Sequence, residues 1–455
     1  MWEASWSCSG TTTVSQQAMG SISVSPIRNY CRHWQREAKH ETFIDTLRYV
    51  PPRLRPSHGL SCKYLKRAGW EVHVVTEQIE DHTFAFLEGY ADSVHYVSFY
   101  SAHHPLLRKL QWVIVMVLDL LFHYKDWKMG KVAANVLRQQ DCQAIIGCTY
   151  RTFPLPAAAR LAQQFKLPFI ADLRDIVEQY AAEEFIAHPL PLPRWLNRPI
   201  HAGFRKRLLH DRNKALRQAT AVTTVSPWHV QTLKAFNPNV HLIYNGYDPE
   251  LFYPQATPTK PFTITYTGRV HSIALQDPTL LFKAIKAMND AGLIQPADFR
   301  VVWYTDARSQ NIIEEEAIRL DVSKYMVYKS YVPAAEIPVI LNQSAILLLL
   351  TNKSGNGGPN GILTTKFFEY MAVEKPILCV RSDEACLAET IQRTHSGLAA
   401  TQVEEVCDFL KQHYQEWQTK GYTTSMVDHN QLRQFSRQEQ ANQFAKLIEN
   451  CTYHG

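Results

Sequence analysis

From about residue 42 the chain alternates short β-type runs with longer helical ones, and after a proline-rich break it does so again. That order demands parallel strands joined by helical crossovers, so it predicts sheets covered by helices. Thr42 to Val50 reads as the first strand, and Pro51, Pro52 and Pro56 make a rigid loop ending at Gly59. Leu60, Tyr64, Leu65 and Ala68 then share one helical face, which Gly69 is placed to cap before a strand from Glu71 to Thr76. Ala144-Ile145-Ile146-Gly147, Pro168 to Ala171, Val222 to Ser226 and Val240 to Tyr244 read as further buried strands. Pro189, Pro191, Pro193 and Pro199 mark 187–199 as a loop or lid.

Pro254, Pro258 and Pro261 mark the best linker. After it come strands at Phe262 to Thr267, Phe299 to Tyr304, Met326 to Tyr328 and Ala345 to Leu350, with helices at 278–289, 310–320 and 334–342 between them. The expectation is an α/β chain of two doubly wound domains, with the carboxyl ends of both sheets toward one cleft.

Composition narrows the class. At 455 residues, 45% hydrophobic and 20% charged, the chain is long enough for about two globular cores. Nine cysteines, at 8, 31, 62, 142, 148, 379, 386, 407 and 451, are scattered and lack CxxC spacing, which argues against a zinc site or a disulfide framework and suits a reducing cytoplasm. The net charge of +6 fits a solvated surface or an attraction to phosphorylated or membrane partners, and nothing in the sequence suggests nucleic acid. No apolar run reaches membrane-spanning length. The nearest, Trp112 to Phe122 behind Arg108 and Lys109, reads either as a buried or half-buried helix or as one lying on the inner membrane face. Residues 1–41 hold no sustained period and no signal-peptide pattern, and read as a poorly structured extension with Met19 as an internal start.

The stretch Gly357-Gly358-Pro359-Asn360-Gly361-Ile362-Leu363-Thr364-Thr365-Lys366-Phe367-Phe368-Glu369-Tyr370 carries the chemistry. A glycine-rich loop opening a helix offers backbone N–H groups to a phosphate. Lys366 adds a point charge, and Glu369 can accept hydrogen bonds from sugar hydroxyls, a combination suited to a nucleotide-sugar. No Asp-x-Asp motif adjoins a strand, so no metal is implied.

Four segments, in order, resemble glycosyltransferase family 4, retaining enzymes of the GT-B fold. They are Ile170 to Asp175, the passage from Ala221 to Pro254 with its Asn245-Gly246-Tyr247-Asp248 turn, Phe262 to Arg269, and the glycine-rich segment just quoted. The last is similar to the subset reading Gly-x-x-x-x-Lys-x-x-Glu-Tyr. The resemblance implies an acceptor-side domain at 42–254, a nucleotide-sugar domain at 255–429 and a closing helix within 430–455 that crosses back. It implies phosphate ligands in Arg269, Lys366 and the backbone of Gly361, Ile362 and Leu363, with Glu369 on the ribose. Tyr331 and Val332, before Pro333, are implied at the base. Arg174, Asp175, Tyr150 and Arg151 face the acceptor or, for Arg174 and Asp175, form an ordinary ion pair. The turn at 245–248 is expected to be structural, with Gly246 supplying an unusual backbone dihedral.

Two positions depart from the pattern: Gly361 stands where a second Glu is common, and Leu275 where a Lys is common, so that Lys366 stands in for it. The implied activity is transfer of a sugar from a UDP- or GDP-linked donor to a glycan or lipid-linked acceptor, in bacterial surface polysaccharide assembly, without metal or cofactor. A non-catalytic nucleotide-sugar-binding scaffold and a sugar-nucleotide epimerase stay open beside it.

Overall fold

The computed structural model describes residues 56–78, 89–102, 104–149, 152–179, 194–273, 276–350, 363–380 and 385–453. The expected strand from Thr42 to Val50 and the site candidates Tyr150, Arg151, Gly361 and Ile362 lie outside them, as do Leu275 and Pro189, Pro191 and Pro193.

The first helix among the described residues, α1 (Pro56–Arg67), starts three residues before the end of the expected proline loop. Pro56 can open a helix because its fixed φ suits the first turn and its missing N–H would have no partner there. Gly69, at φ +91°, closes the helix end. β1 (His73–Glu77) pairs in parallel with β2 (Ser93–Val97). A helical hairpin follows, α2 (Pro105–Phe122) and α3 (Tyr124–Gln139), turned at His123 with φ 51°.

A four-stranded parallel sheet runs in the order β3 (Ile145–Thr149), β4 (Phe169–Leu173), β5 (Ala221–Thr224), β6 (Val240–Leu242). Helix α4 (Leu155–Phe165) links β3 to β4, α5 (Arg194–Gln218) precedes β5, and α6 (Pro227–Leu233) lies between β5 and β6. Pro199, expected in a loop, sits inside α5. Its missing N–H costs one hydrogen bond in an early turn. Tertiary anchors hold the helix: Arg212 donates twice to Glu178 at 2.6 Å, and Ala215 and Leu216 are buried against the sheet.

The six-stranded parallel sheet has the order β12-β11-β10-β7-β8-β9, from β7 (Phe262–Thr267), β8 (Phe299–Tyr304), β9 (Met326–Lys329), β10 (Ile346–Leu350), β11 (Ile377–Val380) and β12 (Gly397–Ala400). β10 is apolar throughout because helices cover both of its faces. Ile346, Leu348 and Leu350 pack with Phe262, Ile264 and Tyr266 against α7 (Thr279–Asp290) and α12 (Val403–Lys420). Leu347 and Leu349 pack on the other side, with Phe367, Phe368, Tyr370 and Met371 of α10 (Thr365–Ala372). The remaining helices here are α8 (Ala307–Arg319), α9 (Ile337–Asn342) and α11 (Ala385–Thr394).

After α13 (His429–Arg433), the last helix, α14 (Arg437–Tyr453), packs Ala441, Phe444, Leu447 and Ile448 against Tyr64 and Leu65 of α1 and Ile170 of β4. Its start is pinned by Tyr247, whose N–H donates to Phe435 O (3.0 Å) and whose O accepts from Arg437 N–H (2.9 Å). This corrects the reason for Gly246: its φ is not positive, but a β-carbon there would overlap the Phe435 carbonyl. Close backbone approach, not an unusual dihedral, demands glycine.

Candidate functional site

In the six-stranded sheet, β8 and β9 wind to one side of β7, while β10, β11 and β12 wind to the other. The winding reverses between β7 and β10, and the crevice beyond the carboxyl ends of such neighbouring strands is where open α/β sheets take ligands. The residues leaving β7 are Gly268 and Arg269. Gly268 has φ +130°, and a β-carbon on it would overlap Lys366 Nζ. The two expected cations therefore meet at one loop: Lys366 reaches back from the first turn of α10 to lie over the Tyr266 ring, 4.9 Å from its centroid.

Arg269 is held from the neighbouring strand end. Its Nε donates to Asp306 Oδ2 (3.0 Å), Tyr331 OH donates to the same oxygen (3.0 Å), and Ser309 N–H donates to Oδ1 (2.8 Å). Asp306 is thus both the N-cap of α8 and the partner of two expected site residues. Burial works against its charge, yet the Ser309 and Tyr331 hydrogen bonds hold its carboxyl below the ordinary range. Tyr331 itself is pushed up to about 12 by burial. Val332 is half-buried beside it.

Lys366 and Glu369 share one face of α10, three residues apart. Burial lowers the Lys366 ammonium to about 8 and raises the Glu369 carboxyl to about 7. Each charge offsets part of the other's burial, and for Glu369 the positive charge of Arg437 does so more. Thr364, the N-cap of α10, makes no side-chain cap, and its buried hydroxyl has no hydrogen-bond partner among the described residues. An anion at this helix start would meet that hydroxyl, the first-turn N–H groups and Lys366. Leu363 points into the core, so its backbone alone can serve a ligand.

The acceptor-side candidates behave otherwise. Arg174 is buried, and its Nε donates to Asp172 Oδ2 (2.7 Å), not to Asp175. Asp172 Oδ1 accepts from Thr223 (2.7 Å), and the guanidinium also lies 5.5 Å from the Phe444 ring. Asp175 is half-buried in the turn after β4. A second polar cluster lies near the ends of β1 and β2, where buried Lys125 sits 5.0 and 5.5 Å from the Phe99 and Tyr100 rings. Burial lowers the Lys125 ammonium, against the charges of Glu77 and Asp119.

Sequence reading missed Asp306, Arg437 and Lys125. Asp306 had a signal, an acidic residue between a strand end and a helix start. Arg437 had none, because only the return of the last helix brings it to Glu369. Among the described residues no cluster of His, Cys, Asp or Glu could hold a metal ion.

Residues 60–246 match the model of the glycosyl transferase 4-like domain. No curated protein matches the sequence. Among solved structures, sucrose-phosphate synthase from Thermosynechococcus elongatus is 13% identical with a TM-score of 0.54, over 88% of this chain and 93% of that one. HepE of Anabaena, in complex with UDP, is 13% identical with a TM-score of 0.54, over 88% and 98%. A glycosyltransferase from Rickettsia africae is 14% identical with a TM-score of 0.54, over 88% and 97%. The family model supports a glycosyltransferase, and the solved structures show the fold. The fold is that of a GT-B protein with two Rossmann-like sheets, and residues 60–246 are similar to a glycosyl transferase 4-like domain.

Proposed function

We propose that the chain is a retaining glycosyltransferase that moves a sugar from a nucleotide diphosphate donor to a glycan or lipid-linked acceptor in polysaccharide assembly. The observation that carries this reading is the meeting of Arg269, Lys366 and Glu369 at the point where the winding of the six-stranded sheet reverses. Arg269 and Lys366 supply positive charge to the diphosphate, together with the start of α10. Charge grows on the leaving diphosphate toward the transition state, so fixed donors aimed at it accelerate the step. Glu369 accepts from the ribose hydroxyls, and the loop at Tyr331 and Val332 holds the base. With two cations and a helix terminus at the diphosphate, the reaction proceeds without a divalent ion or cofactor. The leaving phosphate takes the acceptor's proton, so no histidine is required. On this reading 42–254 serves the acceptor, 255–429 the donor, and the enzyme works at the cytoplasmic side of the membrane.

The test is binding first and turnover second. HepE was solved with UDP, which makes UDP and UDP-sugars the first probes, with GDP and its sugars next. Ligand at about a hundred times its Kd adds about 2.7 kcal/mol of stability. Failure of every nucleoside diphosphate to raise the melting temperature would sink the donor site. Given binding, acceptor addition should release free nucleoside diphosphate, and EDTA should leave the rate unchanged.

A further inference from the structure

Helix α2 (Pro105–Phe122) presents an apolar surface to solvent along its whole length. Leu106 is 70% exposed, Leu110 58%, Val117 42% and Leu121 58%, and Leu107, Val113, Ile114, Met116 and Leu120 are exposed beside them. At 100° per residue these nine fall within one half of the helix circumference. Val115, on the opposite side, is buried. The sequence left this stretch either as a buried or half-buried helix or as one on the inner membrane face, and in the structure it is half-buried, with Val115 inside and the outer half open to solvent. An exposed apolar patch of this extent marks an interaction site.

Charge selects the partner. Setting aside buried Lys125, Asp126 and Arg212, α2, α3 and α5 carry 12 Lys and Arg against 2 Asp and Glu, a net +10 in a chain whose total is +6. α5 joins the hairpin at its corner, where Arg207 Nη2 lies 3.3 Å from His123 Nε2. On α3, exposed Trp127 carries the Lys131 ammonium 3.9 Å from its ring centroid, a ring-and-cation pair suited to a headgroup layer. No described helix is long and apolar enough to cross a membrane. An apolar half-cylinder with a basic rim lies in the interface plane instead, its apolar side among acyl chains and its cations on lipid phosphates.

We propose that α2, with the basic rim of α3 and α5, is a docking surface for an anionic phospholipid bilayer. α2 lies parallel to the bilayer plane, with Leu106, Leu110, Val113, Val117 and Leu121 inserted. The inner side of the same hairpin carries Lys125, which meets the charges of Asp119 and of Glu77 at the end of β1. Docking therefore sets the carboxyl ends of the first-half strands beside the membrane, where a lipid-linked acceptor would arrive. The surface itself stands on exposure and charge and does not depend on the donor reading.

Vesicle flotation of the full chain tests it, without donor or acceptor. With vesicles of phosphatidylcholine and phosphatidylglycerol at 7:3, the protein should float at 0.1 M salt, and its bound fraction should fall severalfold at 0.5 M salt or on pure phosphatidylcholine. L110E/V117E should lower partitioning at least about tenfold while leaving the melting temperature in place, since both side chains are exposed. K131E/K206E, which leaves the apolar face intact, should lower binding to anionic vesicles severalfold. No flotation of the wild type on anionic vesicles overturns the proposal, and so does undiminished binding by L110E/V117E. A wild type that is dimeric by light scattering and becomes monomeric in L110E/V117E would show that a second copy covers the face, which also overturns it.

Discussion

Two arginines follow parallel strands at equivalent places in the two halves, and they are held very differently. Arg174, just past β4, is buried between Asp172 of its own strand and the Phe444 ring of the last helix. Arg269, just past β7, keeps about two-fifths of its side chain exposed, with its Nε on the capping carboxylate of α8. The first is part of the packing that ties α14 to the sheet. The second has its guanidinium anchored at one edge and presented to the crevice. A cation at a strand end is therefore not a ligand group by residue type alone; burial decides whether its charge is available.

The sharpest way to break this contrast is to remove Arg174. Arg174→Ala leaves Asp172 buried without its partner and should cost about 3–5 kcal/mol of stability, as for other broken buried pairs. Urea unfolding would read the loss, and the surviving folded protein should bind UDP with unchanged affinity. A small stability loss with abolished transfer would instead make Arg174 an acceptor ligand. Arg269→Ala should do the reverse. Turnover should drop about 10²–10³-fold, roughly 2.7–4 kcal/mol, with stability lowered by no more than about 1 kcal/mol, the range for a part-exposed ion pair. Retained turnover would move the leaving-group charge elsewhere.

Glu369→Ala comes next in size. Loss of hydrogen bonds to a charged acceptor should weaken donor binding by roughly 1.5–3 kcal/mol, which calorimetry would read directly. Equal affinity for UDP in wild type and variant would place the ribose away from α10.

The second half of the chain was more legible than the first, for a physical reason. β7 and β8 run over the residues expected from their patterns, because each alternates cleanly between two covered faces. The helix carrying Lys366 and Glu369 was legible because its pattern falls within one local segment. Asp306 and Arg437 reach that site through the sheet order and through the return of α14, which no local period encodes. Pro199 misled because proline speaks for its own turn only, while the Arg212–Glu178 pair and the packing of Leu216 decide the helix around it. The apolar run in α2 fixed a helix but not its surroundings, since a leucine face reads the same whether protein or lipid covers it.

The smallest expected effect tests the proposed donor site through its protons. Glu369 accepts from hydroxyls best as a carboxylate, which it becomes as pH rises through about 7, and Lys366 holds its charge for the diphosphate until pH rises through about 8. Donor affinity should peak between those values and fall by up to about tenfold per pH unit on either side, about 1.4 kcal/mol. Glu369→Gln should remove the acid limb and keep the alkaline one, whereas Lys366→Arg should remove the alkaline limb, because guanidinium stays charged. The ligand-free protein should show the opposite sign on the acid side. Glu369 is raised from 4.5, so the folded state holds a proton that the unfolded chain has lost, and stability declines as pH climbs from about 4.5 to about 7. Donor binding strengthening across the same range in which the empty protein weakens would tie both limbs to one half-buried carboxylate. A flat affinity from pH 6 to 9 would show that Glu369 and Lys366 do not share the donor.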